Sequence, residues 1–452
     1  MNSSRRFTLA LLLGDLLSVF LAFNAVAILR GVVTPSAPLL WPLLVPAVLL
    51  VLCFSLIEGY AARTDYLSLE YTSEHLFAVA GALLGTLLIT YVLISSAFTL
   101  QQSRLVAALA FVVMAPLGLG VRRVMALRRA AVQRSRTLIF VGDQNHARDF
   151  IAECARVGFD HPITYAAASE AEVSPEHPAL ATLLDLVEAG HLSTEAIVLR
   201  ESARELPEGL PQRLVQLHFS RIPTYTLELF HEAVWRKIPL YRINQTWLFQ
   251  GGFTLAREPI FDHLKRSSDL LLSVLVLPLF APLVFLAALA IRLDDGGPVF
   301  FSQARIGRHR KVFQLYKLRT MRLASEKGPL YTEKNDKRIT RVGGFLRASR
   351  LDELPQIWNV LRGEMSVIGP RAEWDRLVAN YEKQIPCYHF RHLVRPGITG
   401  WAQVNYPYGA NLDDTLRKLE YDLYYIRHYN LRLDAAIVLK TIHVMLFGKG
   451  SR

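Results

Sequence analysis

Four long apolar runs crowd the first 122 residues, at about 7–29, 39–57, 76–98 and 105–121. A helix needs about 20 apolar residues, within a range of roughly 17–25, to cross the hydrocarbon core of a bilayer. Backbone in lipid must satisfy its polar groups internally, so runs of this length are expected to be helices. They predict four membrane-crossing helices over residues 1–136. The first run is long and lacks a small-x-small exit site, so a cleaved signal peptide is not expected. Asp15 and Asn24 interrupt it, and both are expected to hydrogen-bond to a neighbouring helix.

Arg5 and Arg6 precede the first run, and Arg122, Arg123, Arg128, Arg129, Arg134 and Arg136 follow the fourth. The loops between hold only Arg30, Arg63 and Arg104. Lys and Arg near helix ends favour the cytoplasmic side. Four crossings return the chain to its starting face, so both ends are expected in the cytoplasm.

Residues 137–262 are acidic, with 10 Lys and Arg against 17 Asp and Glu. Residues 137–141 (TLIFV) predict a buried strand, followed by Gly142 and a helical stretch over 145–157. A second strand is predicted at 196–199 after a helix at 181–189. A strand, a glycine and a helix open a Rossmann-like α/β module, but one glycine stands where a dinucleotide fingerprint has three. A structural or regulatory role is expected here. Cys53, Cys154 and Cys387 are too few and too scattered for a disulfide framework or a cysteine metal site.

A fifth apolar run covers 269–291, behind Lys265 and Arg266, and contains Pro278 and Pro282. Proline removes a backbone donor and clashes with the preceding turn, so a bend is expected near the middle. If this run crossed, everything after it would lie outside the cell. Yet residues 292–452 carry 28 Lys and Arg against 16 Asp and Glu, which equals the whole chain's net +12. A helix that breaks at Pro278 and returns to the same face, over about 267–292, removes the conflict, and an ordinary kinked spanning helix is the alternative.

The basic tail holds a series of motifs. They are Gly297-Pro298 with Gln303, Arg305 and Gly307; Tyr316-Lys317-Leu318-Arg319-Thr320-Met321; and Asn335-Asp336-Lys337-Arg338. Then come Arg347-Ala-Ser-Arg-Leu-Asp352-Glu353-Leu-Pro-Gln356, Asn359 to Gly363, and Ser366 to Arg371. Last are Arg395-Pro-Gly397-Ile-Thr-Gly400-Trp401-Ala-Gln403 and Glu420-Tyr-Asp422. Guanidinium groups match phosphate oxygens bidentately. Arginines in short segments broken by glycine and proline suggest loops shaped around an anionic ligand. Asp352 and Glu353 sit among these cations. A carboxylate there stays charged, and can attack phosphorus or hold a divalent metal through oxygen.

The order of these segments resembles the bacterial sugar transferases, the monotopic polyprenyl-phosphate hexose-1-phosphate transferases, and in particular their large exopolysaccharide-type members. The resemblance spans the architecture and is most specific over 263–452. It implies an α-rich phosphoglycosyl transferase domain with a re-entrant membrane helix, after the four-helix domain of 1–136 and the Rossmann-like module of 137–262. It also implies a reaction: a UDP-sugar gives its sugar-1-phosphate to undecaprenyl phosphate, releasing UMP, at the start of exopolysaccharide or related glycan synthesis. Asp352 maps to the nucleophile that forms a phosphosugar-aspartyl intermediate, and Glu353 to the residue that helps bind Mg2+. Lys317, Arg319, Arg347 and Arg371 map to phosphate binders, and Lys265, Arg266 and Pro278 to the head and the break of the re-entrant helix. Asp336, Arg338, Arg395, Gln403, Glu420 and Asp422 are further candidates from the flanking motifs. The chain departs from the family's pattern at Leu318, Gly344, Arg350 and Ala372, and none of these touches Asp352 or Glu353.

A different class remains open: a non-catalytic membrane scaffold or sensor that binds nucleotide or phospholipid anions. Nucleic acid is not an expected partner beside a membrane domain. For a membrane enzyme of this size a homodimer is the assembly to test. The lipid partner is the inner-membrane bilayer, and a final apolar stretch over 431–447 suits either a helix on its surface or a core helix.

Overall fold

The computed structural model describes residues 3–61, 64, 66–93, 103–133, 136–157, 159, 161–167, 173, 177–200, 206–220, 222–240, 259–322, 338–406 and 411–447. The chain divides into two compact units, Met1–Trp235 and Arg236–Arg452. Residues 236–240, which fall within the acidic stretch of the sequence, belong to the second: Ile238 donates its N–H to the Glu420 carbonyl at 3.0 Å.

The first unit begins with helices α1 (Ser3–Leu29), α2 (Leu44–Leu56), α3 (Leu69–Leu88) and α4 (Arg104–Gln133). Three spans are long and apolar enough to cross a membrane: Arg6–Leu29, Tyr71–Val92 and Arg104–Arg128. The second run instead forms a shorter apolar helix, Trp41–Leu56. Its first three residues are a 3-10 turn holding Pro42. The 13 residues of α2 rise only about 20 Å at ~1.5 Å each, less than the roughly 30 Å of a hydrocarbon core. The count of four full-length helices is therefore corrected to three and one short helix.

α1 packs on α4, and α3 packs on both α2 and α4. The two polar interruptions of α1 are both used. Asp15 accepts two hydrogen bonds from the Arg122 guanidinium, at 2.8 and 2.6 Å, and one from the Tyr60 hydroxyl at 2.7 Å. Asn24 holds the chain entering α2 through the Leu39 N–H and carbonyl, at 2.6 and 3.1 Å. Arg122, counted in the sequence among the flanking cytoplasmic charges, is 0% exposed. A buried charge of this kind persists only when paired, and Asp15, 107 residues away, supplies the pair.

The α/β region follows, with strands β1 (Thr137–Val141), β2 (Ile163–Ala166), β3 (Thr194–Leu199) and β4 (Thr224–Thr226) and helices α5 (Gln144–Val157), α6 (Leu180–Glu188), α7 (Leu210–Phe219) and α8 (Leu227–Phe230). The strands form one parallel sheet in the order β2-β1-β3-β4. Alternation divides its faces. Ile139, Val141, Ile197 and Leu199 join the core of Leu183, Leu184 and Leu214, while Leu138, Phe140, Ala196 and Val198 meet Phe150 and Phe230. After Gly142, the Asp143 carboxylate accepts the N–H groups of Asn145 and His146 at 3.0 Å each and pairs with Arg200 at 3.0 Å. A carboxylate of the chain thus occupies the helix terminus where a pyrophosphate would bind.

The second unit opens with α9 (Pro259–Asp295), which bends by 59° between Ile260–Pro278 and Phe280–Asp295. β5 (Phe300–Ile306) and β6 (Val312–Leu318) form an antiparallel hairpin. Short elements follow: α10 (Arg341–Ala348), α11 (Gln356–Arg362), β7 (Ser366–Ile368), α12 (Asp375–Gln384), β8 (Gly397–Thr399), α13 (Trp401–Asn405), α14 (Leu412–Arg427) and α15 (Leu431–Phe447). β7 and β8 pair in parallel. The large core gathers Ile368, Tyr388, Trp401, Leu423, Tyr425 and Ile437. α15 is part of it, with His443 and Asp434 both buried.

The glycines of the tail have a closer task than shaping a ligand loop. A Cβ on Gly397 would lie 2.1 Å from the Gly369 nitrogen, and one on Gly400 would lie 2.1 Å from the Gly369 carbonyl oxygen. The backbones cross there, held by Gly369 N–H to Thr399 and Gly397 N–H to Pro370, both at 2.9 Å. Neither side can yield, because both are backbone. Gly397→Ala is therefore expected to cost about 3 kcal/mol or more. A thermal unfolding midpoint within 2 °C of wild type, roughly the shift of under 1 kcal/mol, would contradict the crossing.

Candidate active site

A short 3-10 turn, Leu351–Glu353, carries the two carboxylates between α10 and α11. Thr340 starts α10 by accepting the Gly343 N–H at 2.9 Å. The helix stops where Arg350 turns left-handed at φ 55°, an unusual conformation for a residue with a side chain. Leu351 then packs with Leu318 and Leu346 against Ala287 and Ile291 of α9. Pro355 opens α11, whose end at Gly363 (φ 84°) is a left-handed cap. The turn is thus fixed on both sides, with Asp352 and Glu353 pointing into a mostly buried space.

The two acids are treated differently. Glu353 Oε1 accepts from Lys317 Nζ at 3.1 Å and from Arg371 at 2.9 Å. Burial alone would raise its pKa, but Arg371 and Lys317 outweigh it and hold the carboxyl well below the usual range. Arg371 is held correspondingly above its ordinary value by Glu353. Burial pushes the Lys317 ammonium down, against the pull of Glu353. Asp352, 9% exposed, accepts no hydrogen bond among the described residues. Burial pushes its carboxyl up, opposed by Lys317, Arg347 and Arg371 and reinforced by the Glu353 charge. Glu353 is thus fixed by two cations, while Asp352 lies in their field with no hydrogen bond among the described residues.

Of the four basic residues assigned to phosphate, Lys317 and Arg371 bond to Glu353 directly. Arg347 donates to the Thr320 hydroxyl at 2.8 Å and adds its charge to the field at Asp352. Arg319 is committed elsewhere: it donates to both oxygens of Asp295 at the end of α9 and to the Pro298 carbonyl at 2.6 Å. Arg395 likewise holds Asp262 at 2.7 Å, with Arg308 on the same carboxylate. Gln403 donates to the Ile398 carbonyl at 3.2 Å, and Glu420 pairs with Lys237 at 3.5 Å. Arg338 lies in the short segment whose backbone pairs with Met321 and Arg322. Asp336 lies outside the described residues.

Asp422 is buried on Arg391 at 2.9 Å, and burial pushes it up to about 6 despite that guanidinium. Arg391 was not a candidate in the sequence. It also donates to the backbone carbonyl of Arg371 at 3.0 Å and to the Tyr388 hydroxyl at 2.5 Å. It therefore sets the backbone from which Arg371 reaches Glu353. At the head of α9, Lys265 lies between Asp269 and Asp434, at 3.2 and 2.7 Å. Arg266 donates to the Val360 and Leu361 carbonyls in the last turn of α11. The Gly363 N–H already donates to the Val360 carbonyl at 2.9 Å and Arg266 adds a second bond there, while Lys265 reaches Asp434 of α15, so the basic pair ties α9 to the scaffold of the site.

Among the described residues no cluster of three or more His, Cys, Asp or Glu is placed to hold a metal. Mg2+ usually takes only one or two carboxylates, however, and completes its shell with water and substrate phosphates. Glu353, engaged through Oε1 alone among the described residues, fits that mode.

The family model for bacterial sugar transferases matches residues 260–448. The chain is 40% identical over 271 residues to the UDP-N-acetylgalactosamine-undecaprenyl-phosphate N-acetylgalactosaminephosphotransferase of Aeromonas hydrophila, covering 60% of this chain and 63% of that protein. It is 44% identical over 198 residues to the UDP-glucose:undecaprenyl-phosphate glucose-1-phosphate transferase of Xanthomonas campestris pv. campestris, covering 43% of this chain and 40% of the relative. It is 42% identical over 187 residues to the exopolysaccharide production protein PSS of Rhizobium leguminosarum bv. phaseoli, covering 40% of this chain and 93% of that protein. The chain thus spans less than two thirds of the first two relatives and nearly all of the third. With its apolar helices it is a membrane protein, and it belongs to the bacterial sugar transferase family.

Proposed function

We propose that this protein transfers a sugar-1-phosphate from a UDP-sugar to undecaprenyl phosphate in two displacements through Asp352. The observation that carries the reading is the contrast between the acids: Glu353 is locked by Lys317 and Arg371, while Asp352 is buried beside it with no hydrogen bond among the described residues. In the first step an Asp352 carboxylate oxygen attacks the β-phosphorus. The Asp–O–P bond forms, the bond to the α-phosphate oxygen breaks, and UMP leaves with the electron pair. In the second, an oxygen of the lipid phosphate attacks the same phosphorus and Asp352 leaves as carboxylate, giving undecaprenyl-diphosphate sugar.

Such transfers depend on positioning and charge neutralisation more than on acid-base chemistry. Lys317, Arg371 and Arg347 offset the phosphoryl charge, and Glu353 keeps the first two aligned. When bound, Mg2+ would be held by Glu353 and would neutralise further diphosphate charge. The bend in α9 supports a helix that enters the bilayer and returns, which would put the site at the cytoplasmic face of the inner membrane, where both substrates could reach it.

The test is UMP release by purified full-length protein with undecaprenyl phosphate and a panel of UDP-sugars. The relatives' names carry both N-acetylgalactosamine and glucose, so the panel includes both. At least one sugar should release UMP and form lipid-linked sugar in equal amounts. UMP release that is absent across the panel, with nucleotide still bound, would favour a non-catalytic sensor. The pH profile has a fixed sign. The nucleophile must be ionised, and burial raises Asp352 above the 3.8 of an ordinary aspartate. The acid limb of kcat/KM should therefore fall at a pH above 3.8, as Asp352 protonates.

A further inference from the structure

A small recess beside the carboxylates is lined by Arg305, Lys317, Gln356 and Arg371, with Ala372 and Gly397 on its wall. Gln356 is the first residue of α11 and is only 3% exposed. Its amide makes no hydrogen bond among the described residues. Its polar atoms are not among the fully buried unpartnered ones, so the amide opens onto the recess and is free to bond what enters it. Arg305 donates to the Ala372 carbonyl at 3.0 Å and to Gln303 at 2.6 Å, and its buried Nε has no partner. Three cations thus line the recess, with Glu353 as the carboxylate bonded to two of them. Asp352 does not line it, although Lys317 and Arg371 act on both.

We infer that this recess is the subsite for the leaving nucleotide's phosphate, with Gln356 and Arg305 as its contacts to the α-phosphate oxygens. This rests on the two-step transfer proposed above. An in-line displacement puts the leaving oxygen opposite the attacking one. A phosphate subsite next to Asp352, sharing its cations but not containing it, suits the group that departs. The flank of Asp352 nearer α9 is the one built by Leu351 and α10, which carries Arg347. That flank is left to the lipid phosphate.

Gln356→Glu separates a ligand role from a structural one. A carboxylate among three cations should leave the thermal midpoint unchanged or raise it. It should repel a phosphate and weaken UMP binding to the full-length detergent-solubilised protein by about 100-fold in calorimetry. Gln356→Leu, which removes the amide with little change in volume, should weaken UMP binding by about 10-fold, as expected for one hydrogen bond to a charged group. The KM for undecaprenyl phosphate should stay within about threefold of wild type in the Leu variant. UMP binding within about threefold of wild type in both variants overturns the assignment. A wild-type protein that makes no UMP from any UDP-sugar overturns the transfer reaction itself, so the two failures are distinguishable.

Discussion

Asp352→Asn should lower turnover by at least about ten-thousand-fold, the scale of losing a covalent nucleophile. The amide keeps the size of the side chain and removes the attacking oxygen's charge. Stability should not suffer. The folded-state pKa of Asp352 is raised, so protonation favours the fold and its ionisation above that pKa is a net cost at neutral pH. A neutral amide removes the cost, and the thermal midpoint should be equal to or above that of wild type. No hydrogen bond to Asp352 is lost among the described residues. UMP binding should persist, because Lys317, Arg371 and the recess are untouched. A variant that is inactive and also unfolded would leave Asp352 a structural residue, and one with full turnover would remove it from the mechanism.

The second large effect is expected far from the substrate. Arg391 is buried against Asp422, Tyr388 and the Arg371 carbonyl. Arg391→Met strands the Asp422 charge, and breaking a buried pair in this way costs about 3–5 kcal/mol. For a unit of this size the thermal midpoint should fall by roughly 10 °C. Replacing both partners by apolar residues is often neutral, so Arg391→Met with Asp422→Leu should recover most of that midpoint. Turnover should not recover with it, because the Arg371 carbonyl remains without its anchor and Arg371 loses its aim at Glu353. Recovery of both together would show that Arg391 acts through stability alone.

How far the residues could be read in advance depended on whether their partners were local. The buried strand Thr137–Val141 matches its expected bounds, and α9 bends beside Pro278, because apolar runs and proline act through their own neighbours. Asp352, Glu353, Lys317 and Arg371 do come together, as the motif order implied. Arg319 and Arg395 could not be told apart from phosphate binders, since a guanidinium fits a carboxylate as well as a phosphate. Their partners Asp295 and Asp262 are 24 and 133 residues away. Burial of Arg122 depended in the same way on a distant Asp15. The second apolar run looked long enough to cross because hydropathy does not register the 3-10 turn that shortens α2. Arg391 gave no signal, as its task is to hold a backbone carbonyl rather than a ligand.

The central claim is the covalent step, and the most direct measurement withholds the lipid. Full-length protein incubated with a UDP-sugar labelled in the β-phosphate, without undecaprenyl phosphate, should release up to one UMP per protein. It should retain the label on the peptide containing Asp352. Adding undecaprenyl phosphate should then discharge the label into lipid. A protein that is fully active with lipid but never retains label without it, at any time of quenching, would contradict the aspartyl intermediate and require direct transfer between the two substrates.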